Sequence, residues 1–166
     1  DLKGAKIWRT NLQQGRLQYA TLTGAHLWRA NLRKASLQGA DLKGAFLAET
    51  DLSKSVLEHA NLFNANLNYS DLSGANLIEA DLRGIKLTDA KLDRANLDAA
   101  ILSHGSLAGA SLARANLSRA NLLGVKVTDQ ALSKAILCST LLPDGTMSDC
   151  DLSGMDLRNA NLARAK

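Results

Sequence analysis

A medium-sized hydrophobe returns every fifth residue from Leu2 to Leu162, at 33 successive positions of which 30 are Leu. The exceptions are Ile7, Val127 and Met147. The residue two before each centre is small: of 33 such positions, 20 are Ala and nine are Gly, Ser, Thr or Cys. The unit is A-[D/N]-L-x-x, as in Ala40-Asp41-Leu42-Lys43-Gly44 and Ala115-Asn116-Leu117-Ser118-Arg119. Five residues advance an α-helix by about 500°, so the leucines would spiral around it and form no stripe. In an unbroken strand, successive leucines would face opposite sides. A chain that turns a corner after every unit keeps Leu and the small residue inward. Four corners close a coil of 20 residues, and stacking at about 4.8 Å turns eight coils and a quarter into a rod of about 40 Å. No unit buries its own Leu, so stability has to come from stacking.

This pattern resembles the pentapeptide-repeat family along the whole chain. The resemblance implies an all-β fold, a single-stranded right-handed quadrilateral β-helix of about eight 20-residue coils, forming one domain over residues 1–166. It implies little about activity. Residues 20 apart should stack, and they compensate in size: Ile85, Gly105, Val125 and Gly145 alternate large and small in one inward column, which holds core volume constant. Gln130 and Met155 are further large residues at the small position. Gly4, Gly24, Gly44, Asn64, Gly84 and Gly124 share a corner, which predicts a row of type II turns there. The other corners carry Arg, Lys, Glu and Ser and are expected to be type I or irregular.

The chain opens at Asp1 and closes at Lys166 in mid-pattern. That suggests an excised domain or processed product, with its open strand edges capped by flanking segments or a partner. No hydrophobic run is long enough to span a membrane, and no signal peptide is read. Net charge is +4. Within the resembled family, a gyrase-directed DNA mimic is one role; it needs a strongly acidic rod, so it ranks as the alternative here.

With leucine filling the interior, function has to sit on the outward columns. All six aromatics lie there: Trp8, Tyr19, Trp28, Phe46, Phe63 and Tyr69. Trp8, Trp28, Phe46 and Tyr69 share one face with Arg9 and Arg29, a composition typical of binding hot spots. These six form the candidate partner-binding face; the plainer reading is that the rings only cover the coil. Ile101, Leu123, Leu141 and Pro143 form a second apolar area, read as local cover or as a homodimer contact, with a coil end as the other route to a dimer. Lys34, Lys54, Arg94, Arg114 and Lys134 form a basic column interrupted by Gly74, read as a solvated ridge in preference to a phosphate track. Asp89, Asp129 and Asp149 share a column, but two carboxylates without an oxygen cage do not make a calcium site.

Nothing points to catalysis. His26, His59 and His104 fall in different columns and coils without a Ser, Cys or Asp partner, whereas a nucleophile needs a base within reach. A convex rod offers no enzyme pocket. No catalytic residue, cofactor, metal or small-molecule substrate is therefore expected, and nucleic acid is disfavoured as a partner. Cys138 and Cys150 flank Pro143-Asp144-Gly145-Thr146, resembling a segment common near the C-terminus of cyanobacterial family members, where such cysteines can be bridged. Here the repeat continues in phase through Leu152, Leu157 and Leu162. A regular coil then points Cys138 outward and Cys150 inward, about 10 Å apart by strand rise, too far for a disulfide. Reduced thiols are expected, and cysteine usage leaves the compartment open: cytoplasm as the default, thylakoid lumen or periplasm as alternatives. The resulting expectation is a rigid, non-catalytic module that binds a protein partner.

Overall fold

The computed structural model describes residues 1–150. The leucine centres at 152, 157 and 162 lie outside them, as does Met155. From Lys6 to Leu141 the chain winds in 20-residue coils joined by parallel bridges, Lys6↔His26, Asn11↔Asn31, Arg16↔Ser36 and Thr21↔Asp41 being the first four. The bridging residue is the one just before each Leu, once on each of four sides. The stack is therefore four-sided and all its regular pairings are parallel.

Each side is held by the same bonds. The N–H of each centre reaches the coil above, as in Leu22 N to Asp41 O at 2.7 Å, and so does the N–H two residues later, as in Gly24 N to Lys43 O at 2.9 Å. The corner is closed by a bond from the next small residue back to the centre, such as Ala25 N to Leu22 O at 2.9 Å. The Asp or Asn of the unit serves the corner too. Its carboxyl or amide oxygen accepts the N–H two residues on, as Asn31 does from Arg33 at 3.1 Å and Asp51 from Ser53 at 2.9 Å. The Asx oxygen thus replaces a missing backbone partner.

The turn expectation held at the glycine corner and failed at the other three. All 25 corners from Gly4 to Gly124 place the second residue after the centre at positive φ, including Arg9 (56°), Lys34 (57°), Glu49 (57°) and His59 (55°). Positive φ at that residue with a bond from i+3 back to i is the type II pattern, so all four sides share one turn. A non-glycine residue there costs about 1–2 kcal/mol. The ladder overrides that cost, because turning the middle peptide of the corner would break one hydrogen bond to each neighbouring coil, as Gly24 N to Lys43 O and Gly4 N to Thr23 O show.

Packing follows from the register. Every centre from Leu22 to Leu122 is at most 1% exposed. Small-position hydroxyls are buried with partners: Thr50 Oγ1 donates to Leu27 O at 2.9 Å and Ser70 Oγ to Leu67 O at 2.6 Å. Ile85 and Val125 are buried around Gly105, where an added Cβ would lie 3.1 Å from Ile85 Cγ2. Gly145 does not extend this column inward, since it is exposed.

The coil changes after Val127. A single helical turn, α1 (Asp129–Leu132), replaces one side, with the Thr128 hydroxyl accepting from Ala131 N. Gln130, too large and polar for an inward corner, is carried into solvent. The chain rejoins the stack at Ile136, which pairs with Asn116. It then reverses. Leu141 pairs antiparallel with Met147, and Asp144 Oδ1 accepts from Thr146 N at 2.9 Å and Thr146 Oγ1 at 2.7 Å. This hairpin overturns the expectation of an unbroken register: Met147 is 59% exposed, not an inward centre. It also overturns the expectation of reduced thiols. The reversal carries Cys150 back over Cys138, and the two form a disulfide with Cα atoms 4.1 Å apart. Asp129 now heads the helix and Asp149 follows the reversal, so the acidic column is broken.

Candidate functional site

The outward aromatics are set by corner geometry. Trp8 and Trp28 occupy the position after the centre and His26 and Phe46 the position before it, on the same side in successive coils. Two ridges therefore flank one stretch of backbone. Between them lies an open groove of about 520 Å³ lined by Trp8, His26, Trp28, Phe46, Ala48 and Asn66. Its depth comes from a change of side-chain size up one column: above Trp8 and Trp28 stands Ala48, too small to continue the ridge.

Trp28 is the best-fixed wall. Arg9 lies 5.2 Å and Arg29 4.4 Å from its ring centre. Its indole Nε1 donates to Glu49 Oε1 at 3.3 Å, and Arg29 Nε pairs with Glu49 Oε2 at 2.7 Å. The Arg29 hydrogen bond holds the Glu49 carboxyl below its usual range, against desolvation, with help from the Trp28 indole. Opposite, the His26 and Phe46 rings stack with centres 4.6 Å apart. Trp8 and Phe46 are about half exposed, at 52% and 47%.

Of the six residues expected on this face, Trp8, Trp28 and Phe46 line the groove. Arg9 and Arg29 clamp Trp28 and form its rim. Tyr69, 61% exposed, stands further along the rod and is not in the lining. Sequence reasoning passed over His26, Ala48, Asn66 and Glu49. The signal was present in the 20-residue spacing of His26 to Phe46, of Trp28 to Ala48 and of Arg29 to Glu49. The second apolar area is partly covered: Ile101 and Leu123 are each 39% exposed, while Leu141 and Pro143 are half-buried and the hairpin's Gly145 sits against Leu123.

Chemically the groove offers an apolar, aromatic recess with a charged rim. Among the described residues, His59 meets a carboxylate, that of Glu79, at 3.4 Å on the open surface. Among the described residues no group of acids, histidines or cysteines has metal-binding geometry, and no helix is long and apolar enough to cross a membrane.

No curated protein matches the chain. Solved structures do. The chain is similar to alr5209, a pentapeptide repeat protein from Nostoc Pcc 7120, at 31% identity and TM-score 0.53, over 60% of this chain and 82% of that one. It is also similar to HetL from Nostoc sp. strain PCC 7120, a pentapeptide repeat protein involved in heterocyst differentiation regulation, at 30% identity over 88% of this chain and 82% of that one, TM-score 0.34. QnrB1, a plasmid-mediated fluoroquinolone resistance protein, shares the fold at TM-score 0.61 and 15% identity, over 91% of this chain and 88% of that one. The family model for pentapeptide repeats (8 copies) matches residues 10–47, 40–77, 55–94, 90–129 and 146–166. Five-residue corners, four-sided coils and a family match over most of the sequence agree, and the chain belongs to the pentapeptide-repeat family.

Proposed function

We propose that the protein is a rigid, non-catalytic interaction module whose coil has the right-handed, four-sided form of its family. A protein partner binds the face formed by Trp8, Arg9, Trp28, Arg29, Phe46 and Tyr69. One observation carries this reading: the aromatic groove is a preformed apolar recess between two ridges of the coil. Burying tryptophan in such a recess, within an arginine rim, is how binding surfaces concentrate affinity. Aromatics that served only to cover the ladder would not leave a recess between them. Arg9 has no ion-pair partner among the described residues, so a partner that fills the groove with an apolar side chain and offers a carboxylate to Arg9 fits best.

The DNA-mimic alternative has no support in the charge, +4 overall, and the similarity to QnrB1 extends to the fold alone. The disulfide argues for a compartment where disulfides persist, such as a periplasm or thylakoid lumen, over the cytoplasm.

The test is capture with Trp8→Ala/Trp28→Ala as control. Trp28→Ala should abolish partner capture at a stability cost of about 1 kcal/mol, the centre of the range for single substitutions. A Trp28→Ala protein that still captures the same partner, or that melts as early as Leu72→Ala, defeats the interaction-face reading.

A further inference from the structure

The face after the aromatic one carries a second recess. Lys54, Gly74, Arg94 and Arg114 occupy the same corner in four successive coils, at φ of 59°, 66°, 59° and 58°. Gly74 leaves one step of this column without a side chain. The result is a notch of about 430 Å³ lined by Lys54, Ser73, Gly74, Asp93, Arg94, Ala113 and Arg114. We propose that this notch binds a phosphoryl-type oxyanion of diphosphate size, held between Lys54 on one side of Gly74 and Arg94 and Arg114 on the other.

Three observations carry it. The first is the placement of charge. Three cations line one recess, and none of the four ion pairs among the described residues includes any of them. Like charges lining one recess raise one another's energy, and an anion between them removes that cost. Asp93 is the one acid in the lining. Its Oδ1 accepts from Ser111 Oγ and, at 3.0 Å, from Ala113 N, which ties that oxygen to the coil above. The lining keeps a net positive charge.

The second is the role of the glycine. A Cβ at Gly74 would meet Lys54 Cγ at 3.6 Å, so the lysine stem lies beside the vacant step. Lys54 adds a flexible cation with three donors to the two planar guanidinium forks of the lining, a donor set suited to several oxygens at once. Backbone amides take no part, because Gly74 N is bonded to Asp93 O at 2.9 Å; recognition rests on side chains.

The third is size. Adjacent coils are about 4.8 Å apart, so Lys54 and Arg94, two coils apart, are separated at their roots by about 10 Å. That span suits two linked phosphoryl groups better than one. In the unbroken part of the column, Arg94 and Arg114 follow one another directly, whereas at Gly74 a recess opens beside the cations.

Titration calorimetry of the intact chain with inorganic diphosphate at low ionic strength tests this, beside a peptide with two adjacent phosphoserines. Saturable binding at one site, weakening as salt is raised, is expected. Lys54→Gln/Arg94→Gln should weaken it at least tenfold, while Lys86→Gln/Lys126→Gln, with the same charge loss on another face, should change it less than twofold. Gly74→Asn should also abolish binding with an unchanged melting temperature, since Asn64 already adopts φ 55° at a corner. Tighter binding of diphosphate than of peptide identifies a free anion as the ligand; the reverse identifies a phosphorylated protein. Absence of saturable binding to both probes overturns the proposal, as does equal weakening by the two double variants or full binding by Gly74→Asn.

Discussion

The coils up to Val127 and the segment from Thr128 to Cys150 are built on opposite principles. In the coils every element is repeated: each Leu lies between two others, each corner has the same sign of φ, and the inter-coil backbone bonds all join residues 19 to 21 apart. In the closing segment the repeat survives only where Ile136 and Leu141 pair with the coil below. A helical turn, an antiparallel hairpin and a disulfide each occur once. Repetition lets weak local preferences be overridden, which is why Arg, Glu and His accept positive φ at the corners. Once the inward sequence changes at Gln130, the ladder has less to offer and local chemistry takes over. The Thr128 cap then sets α1, and the Asp144 carboxylate, held below its usual pKa by the Thr146 hydroxyl and amide, sets the hairpin.

The sharpest way to break this comparison is to remove one repeated element. Leu72 is 1% exposed in mid-stack, and Leu72→Ala should cost about 2–5 kcal/mol. Thermal melting should stay a single transition, because each coil is supported only by its neighbours. A separate early transition for the coils around residue 72 would show that the stack is less cooperative than its repetition implies.

Cutting the disulfide should act only on the closing segment. Cys138 and Cys150 are 12 residues apart, and releasing a loop of that size costs about 3 kcal/mol by chain entropy. In Cys138→Ser, hydrogen exchange at Leu142 N and Ser148 N should quicken while the Leu72 coil keeps its protection. Uniform acceleration through both regions would instead make the hairpin a cap that the whole rod needs.

A smaller effect is expected from overfilling the core. At Gly105 an added Cβ would lie 3.0 Å from Leu102 O and 3.1 Å from Ile85 O and Cγ2. Gly105→Ala should cost about 1–3 kcal/mol. Ile85→Val/Gly105→Ala should recover little of that loss in a denaturant melt, because valine keeps the Cγ2 methyl and the other two contacts are backbone. Full recovery would mean that side-chain volume alone sets the column.

The smallest effect concerns pH at the groove. Glu49 titrates below its usual 4.5 because Arg29 and Trp28 bind the ionised form. Its support of Trp28 is complete above that value and is lost as pH falls below it, through the folded pKa. In a Trp8→Phe background, Trp28 fluorescence should change in this acid range and Glu49→Gln should abolish the step. A step that persists in Glu49→Gln would place its origin elsewhere.

Much of the coil was legible in the residues. A five-residue Leu register admits one arrangement that keeps every centre inside, so the four sides, the stacking of residues 20 apart and the buried Ile85–Gly105–Val125 column follow from spacing. The shared face of Trp8, Arg9, Trp28, Arg29 and Phe46 was legible for the same reason. The groove was less so, because it depends on the small Ala48 and on His26, neither conspicuous in a list of aromatics.

What only the tertiary structure decided lies where the repeat does not dictate. Corner conformation went against residue preference, since two inter-coil hydrogen bonds outweigh a local cost of about 1–2 kcal/mol. Met147 kept the five-residue phase yet left the core, because a periodic letter is not a periodic position once the chain reverses at Asp144. The disulfide followed from that reversal, which no spacing along an assumed regular coil could reveal. Sequence determined the interior of this protein, where one pattern is enforced by many equivalent contacts; its closing segment and its surface recesses were decided by single residues acting in three dimensions.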